Sequence, residues 1–188
     1  MPIISKKYLN ELCQKRYISS SFKINDVNRI DHESKKYDIF FSYCYTDKEY
    51  AIKLVNLLEK HDFTVYIDLR DNNLSRYNVD RETAERISKV MNRCKCLVYL
   101  HTASAKVSKW CPWELGYMSG KTNFRCATIL LTEDKEDFPR QEYLEIYPYL
   151  DYELIQNRNE YAFWVCELDT DKYINLKQFI EGKNPYKH

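Results

Sequence analysis

The sequence predicts an α/β fold, a five-stranded parallel sheet with helices on both faces and a short helical extension at the amino end. Two observations carry this. From residue 37 onward, short apolar runs alternate with amphipathic helical stripes, and such alternation builds parallel sheets covered on both faces. The first run, Tyr37-Asp-Ile-Phe-Phe-Ser42, is nearly continuous in apolar residues, as a strand buried on both faces requires.

Residues 1–17 read as a helix, with Ile4, Tyr8, Leu9 and Leu12 near helical spacing, and the polar stretch 18–35 reads as a loop. Residues 1–35 are therefore expected as an N-terminal helix and linker, and 36–188 as the main domain. After the first strand, a helix is expected from about Lys48 to His61, with Ala51, Leu54, Leu57 and Leu58 as its stripe. Thr64 to Leu69 is the second strand, followed by the polar loop RDNNLSRYNVD. A helix from about Arg81 to Arg93 carries Ala84, Ile87, Val90 and Met91, and Cys96 to His101 is the third strand. Cys126 to Leu131 is the fourth. Residues 133–160 read as acidic loop, with a helical turn near Arg140 to Tyr147. Tyr161 to Cys166 is expected as the fifth strand and Asp171 to Glu181 as a closing helix.

Composition excludes several functions. Lys plus Arg (29) nearly balances Asp plus Glu (28), giving a net charge of +1 over 188 residues, without the basic excess of a nucleic-acid or anionic-membrane binder. No run reaches the length of a membrane span, and MPIISKKYLNELCQKRY lacks a secretory leader. A cytoplasmic location is expected. The seven cysteines are scattered, which suits reduced thiols used as small core residues. Cys94-x-Cys96 is too tight for a zinc hook and no second Cys/His pair follows, so no metal site is expected. Only three glycines occur, at 116, 120 and 182. A glycine-rich phosphate loop is excluded, and any nucleotide must be held by other means.

In open parallel sheets, ligands bind beyond the carboxyl ends of the strands. That rule gathers the loops after Ser42, Asp68 and His101 with the start of the segment SKWCPWELGYMSG, residues 108–120. There Ser108 is a helix cap, Pro112 suits the first turn and Gly120 is the stop signal. Glu114 lies four residues after Trp110 and three before Tyr117, placing all three on one helical face. Such a face fits a ring-shielded catalytic carboxylate, and it equally fits an acid near a helix start whose aromatic neighbours fill a core.

Three segments together decide between these readings. YDIFFSYCYTDKEYA, TVYIDLRDNN and SKWCPWELGYMSG resemble, in order, the opening strand, the second strand with its loop, and the W-x-x-x-E helix of the Toll/interleukin-1 receptor (TIR) domain family. The likeness spans about residues 36 to 132 and is greatest to small single-domain bacterial TIR proteins, some of them from Thoeris-type anti-phage defence. It implies a flavodoxin-like TIR fold. It also implies an enzyme that cleaves NAD+ at the nicotinamide–ribose bond and makes an ADP-ribose-derived signal, cyclic or conjugated. NAD+ is then the substrate and no cofactor is implied. The resemblance makes Glu114 the catalytic residue, with Phe41, Ser42, Trp110, Tyr117, Asp68 and Arg70 as substrate-binding residues. Phe41, Ser42, Trp110 and Tyr117 each also fit core packing, and Asp47 fits a cap for the helix from Lys48. Implied partners are further TIR domains and a separate effector protein that senses the product.

The chemistry agrees with the residue types. Cleaving an N-glycosidic bond passes through an oxocarbenium-like state, which a carboxylate near the ribose stabilises. Nicotinamide leaves as a neutral group, so no strong acid is required, and aromatic rings suit planar bases. A non-catalytic TIR scaffold is the alternative, though it has no need of Glu114. A phospho-receiver using Asp68 would need an acidic pair after its first strand to hold Mg2+, and FFSYCYTD has none. A nucleoside deoxyribosyltransferase shares the glutamate chemistry but lacks the three segments.

Overall fold

The computed structural model describes residues 4–15, 34–70, 80–133, 144–155, 158 and 160–188. The chain runs β1 (Ile4–Ser5), α1 (Lys6–Lys15), β2 (Tyr37–Ser42), α2 (Lys48–Lys60), β3 (Val65–Tyr66), α3 (Arg81–Met91), β4 (Cys94–His101), α4 (Trp110–Thr122), β5 (Cys126–Thr132), β6 (Tyr149–Leu154), β7 (Tyr161–Cys166), β8 (Lys172–Asn175), α5 (Leu176–Ile180) and β9 (Tyr186–Lys187). The described strands form a nine-stranded sheet in the order β3-β2-β4-β5-β6-β7-β8-β9, with β1 joined to β5 off this path. The pairs from β3 through β6 are all parallel, and this five-strand core has the flavodoxin-like order.

Period-two alternation sends β2 and β4 residues to opposite faces. Ile39, Phe41, Val98 and Leu100 enter one buried cluster with α2 (Leu54, Leu58), α1 (Leu9, Leu12) and α5 (Leu176, Phe179). Phe40, Leu97 and Tyr99 enter the other, with α3 (Ile87, Val90, Met91) and α4 (Leu115, Met118). The sheet is therefore covered on both faces, as the strand and helix pattern predicts.

Four expectations change. The fifth parallel strand is β6, not Tyr161–Cys166, which is β7 and runs antiparallel to it. Residues 155–160 are too short a connection for a crossover and permit only a hairpin. The closing helix is cut to Leu176–Ile180 because Lys172–Asn175 pairs with β7 as β8. Asn175 then starts the helix, its side-chain oxygen accepting from the Lys177 N–H at 3.0 Å. The second strand shortens to Val65–Tyr66, and Asp68–Arg70 turns into a 3-10 helix. Gly120 does not end α4. The helix continues to Thr122 and closes at Asn123, a left-handed residue with φ 52°. The amino-terminal helix shares the main core, since β1 pairs Ile4 with Leu131 and Ser5 with Thr132. The expected loops lie mostly outside the described residues, as do residues 134–143.

At the amino end of β2, Asp38 accepts hydrogen bonds from Lys95 Nζ (2.8 Å), the Thr64 N–H (3.0 Å) and Thr64 Oγ1 (2.7 Å). Burial alone would raise its pKa, but the Lys95 and Thr64 bonds outweigh burial and hold the carboxyl below its ordinary value. A depressed carboxyl contributes stability that is full above the unfolded pKa of about 3.9 and is lost as pH falls through the folded value. Unfolding free energy should therefore fall with pH below about 4, with a shallower slope in Asp38→Asn. Denaturant titrations at several pH values test this, and equal slopes would refute it.

Candidate active site

The order β3-β2-β4 makes the chain leave β2 toward one edge and β4 toward the other, which opens a crevice at their carboxyl ends. Ser42 ends β2 and His101 ends β4, and both are buried. The amino end of α4 descends beside them. The Ser108 hydroxyl oxygen accepts from the Cys111 N–H at 3.3 Å, and Pro112 lies in the first turn, satisfying one orphan donor and omitting another.

Glu114 projects from the second turn of this helix and is 7% exposed. Its Oε2 accepts a hydrogen bond from Ser42 Oγ at 2.5 Å, at the short end of the range for a hydroxyl on a carboxylate. A buried carboxyl is costly unless hydrogen-bonded, and this contact fixes the direction of the group. Cys111, one turn before Glu114, is 1% exposed. Burial and then the charge of Glu114 push its thiol up to about 12, against hydrogen bonds to Ser108 and Ser42. It is an inert neighbour rather than a nucleophile.

The other expected residues divide. Trp110 is half-buried beside the α3–α4 cluster, with its ring 5.4 Å from Trp113 in an edge contact. Its indole Nε1 is buried without a hydrogen-bond partner among the described residues. Tyr117 does not join Ser42. Its hydroxyl donates to Asn92 Oδ1 at 3.1 Å, in the turn before β4 and so at the opposite end of the sheet. Helix α4 runs against the strands, and three further residues carry Tyr117 about 4.5 Å down the axis. Phe41 lies on the far sheet face, in the cluster with Leu54 and Leu58. Asp68, half-buried, opens the 3-10 turn after β3, and Arg70 closes it.

Asp47 makes no cap bond to α2. Its buried Oδ2 accepts from Thr102 Oγ1 at 2.6 Å, and that oxygen accepts from the Ala105 N–H at 3.0 Å. The pair straps the loop after β2 to the loop after β4, across the crevice. Thr102 was not legible as a site residue, since a lone Thr after a strand has many uses. Thr102→Val should cost about 1–3 kcal/mol, because it leaves a buried acceptor without this donor. Urea unfolding measures the loss, and wild-type stability would show the strap to be idle. Among the described residues no group of three or more His, Cys, Asp or Glu could hold a metal ion. No described helix is long and apolar enough to cross a membrane.

The family model described as TIR domain matches residues 39–163, from the third residue of β2 to the middle of β7. The chain is 30% identical over 172 residues to a Bacillus cereus (strain MSX-D12) protein named "Probable 3' cyclic ADP-D-ribose synthase ThsB'", covering 90% of this chain and 82% of that one. Among solved structures, the TIR domain of the Toll-related receptor TRR-2 from Hydra magnipapillata aligns at 19% identity and TM-score 0.48, over 61% of this chain and 82% of that one. A metazoan TIR-STING receptor from C. gigas aligns at 19% identity and TM-score 0.42, over 55% and 34%. With β2 and β3 adjoining in the parallel part of the sheet, α4 packed beside them, and a family match over more than half of its length, this chain belongs to the TIR domain family.

Proposed function

We propose that this protein is an NAD+-cleaving TIR enzyme that breaks the nicotinamide–ribose bond and makes an ADP-ribose-derived signal, cyclic or conjugated, in bacterial anti-phage defence. The observation that carries the reading is the buried Glu114 carboxylate, aimed by Ser42 into the crevice at the strand ends. A relative similar over most of its length is named for cyclic ADP-ribose synthesis, which favours a cyclised product over plain hydrolysis.

In this mechanism the Glu114 charge faces the ribose and stabilises the positive charge that develops as the bond to nicotinamide lengthens. Ser42 holds that carboxylate in one orientation, so little reorganisation is needed when charge appears. The half-buried Trp110 offers a flat ring to the dinucleotide. Asp68 and Arg70 border the same end of the sheet. NAD+ is consumed as substrate, with no added cofactor. The exposed Tyr45, Val107 and Trp113, all on segments at this end, suit TIR–TIR assembly around the site. The signal is read by a separate effector protein.

Mass spectrometry of small molecules after incubation with NAD+ tests the reading, with the protein pure and in lysate of phage-infected cells. Nicotinamide release is expected, with a companion product lighter than ADP-ribose by one water if the acceptor is internal. An unchanged NAD+ pool in both settings would leave the assembly scaffold.

A further inference from the structure

The proposed reaction needs Glu114 held in one place, and Ser42 orients its carboxyl from β2. A second set of contacts reaches the same helix from the loops, and it begins at Asp47. This acid stands directly before α2, where it would ordinarily cap the helix, yet its side chain makes no cap bond. It is 5% exposed, and burying a carboxyl is costly unless it gains a partner. That partner is Thr102.

From Thr102 the hydrogen bonds continue into α4. Its Oγ1 donates to Asp47 Oδ2 at 2.6 Å and accepts from the Ala105 N–H at 3.0 Å. The Ala105 carbonyl accepts from the Ser108 N–H at 3.2 Å. The Ser108 hydroxyl oxygen then accepts from the Cys111 N–H at 3.3 Å. Cys111 lies in the first turn of α4, and Glu114 follows it on the same helical face.

The path closes on itself. Glu114 returns to β2 through Ser42 Oγ at 2.5 Å, and a short loop leads from Ser42 to Asp47, whose N–H donates to the Cys44 carbonyl at 2.8 Å. Below the strap, β2 and β4 pair Ser42 with Tyr99. Asp47, Thr102 and Ala105 are all buried, so water does not compete for their bonds. The Ser42 bond fixes one oxygen of Glu114, whereas the circuit fixes the backbone from which that side chain grows.

We infer that Asp47 and Thr102 are positioning residues for the reaction, holding the first turn of α4, and with it Glu114, in register with Ser42. A displacement of about 1 Å at a reacting group can cost on the order of a hundredfold in rate, which is why a strap remote from the ribose matters. Its kinetic consequence rests on the NAD+-cleavage reading, whereas a displacement of α4 can be observed without turnover.

Nicotinamide release by the full chain tests this, with kcat and KM measured at a temperature where circular dichroism shows each variant folded. Thr102→Val and Asp47→Leu break the same bond from opposite sides. Each should lower kcat about ten- to a hundredfold, with KM changed by less than about threefold. Thr102→Ser keeps the hydroxyl and should hold kcat within about threefold of the wild type. Labelling the three tryptophans with 5-fluorotryptophan supplies a readout independent of turnover. The fluorine resonances of Trp110 and Trp113, at the start of α4, should shift in Thr102→Val and return in Thr102→Ser, while that of Trp164 on β7 stays in place. Wild-type kcat in Thr102→Val, or unmoved Trp110 and Trp113 resonances, would overturn the assignment. So would a shift of all three resonances together, which would mean general loosening. If the wild-type chain releases no nicotinamide, the NAD+ reading falls, and the fluorine spectra alone decide whether the strap holds α4.

Discussion

Glu114→Gln is expected to reduce NAD+ cleavage about a thousandfold while the protein stays folded. The change keeps the shape of the side chain, and its amide oxygen can still accept the Ser42 hydroxyl that now lies 2.5 Å from Oε2. What disappears is the negative charge that the proposed mechanism sets against the ribose. Removing a preorganised electrostatic contact to a developing charge typically costs 10²–10³ in turnover, and here the charge is the central one. Stability should hold or rise slightly, because a carboxylate that is 7% exposed no longer has to be desolvated. Nicotinamide release at the wild-type rate would remove Glu114 from the mechanism. A collapse in melting temperature would mean that the variant reports on folding and not on chemistry.

The second large effect concerns the amino-terminal helix. Leu9 is 0% exposed and packs in the same cluster as Leu54, Leu58 and Phe163. Leu9→Ala should cost about 3 kcal/mol, the lost transfer energy plus a cavity. For a chain of this length each kcal/mol moves the melting temperature by about 2–4 °C, so a fall of roughly 6–12 °C is expected. Lys7, exposed on the same helix, is the control, and Lys7→Ala should change stability by less than about 0.5 kcal/mol. If the two variants melt alike, α1 is not docked on the sheet in solution.

Local signals served well where the pattern was strong. The bounds of β2 agree with its apolar run, and Lys48–Lys60 and Arg81–Met91 follow their stripes to within two residues at each end. The meeting of Ser42 and Glu114 followed from the strand-end rule together with helical spacing. Beyond that, the sequence misled in specific ways. Acidic residues made Tyr149–Leu154 look like loop, yet Asp151 is buried inside β6 and its Oδ1 accepts the N–H of Tyr152 at 2.8 Å. Spacing grouped Tyr117 with Glu114, because helical periodicity reports a shared face and is silent on which end of the sheet each turn reaches. Phe41 adjoins Ser42 in sequence, but alternation along β2 sends the two to opposite faces.

The pairing of β1 with β5 sets the order in which this protein can be completed. Lys6 meets Glu133 across a separation of 127 residues, just beyond the paired positions Ile4–Leu131 and Ser5–Thr132. At about 5–20 residues per second, a ribosome needs on the order of ten seconds to supply the other half of that contact. During this interval β2, β3 and β4 can associate and α2 can cover Leu9 and Leu12, while Ile4 waits for its partner strand. The β1 segment is thus made long before the strand it pairs with, and in that interval it is open to chaperones and to mispairing.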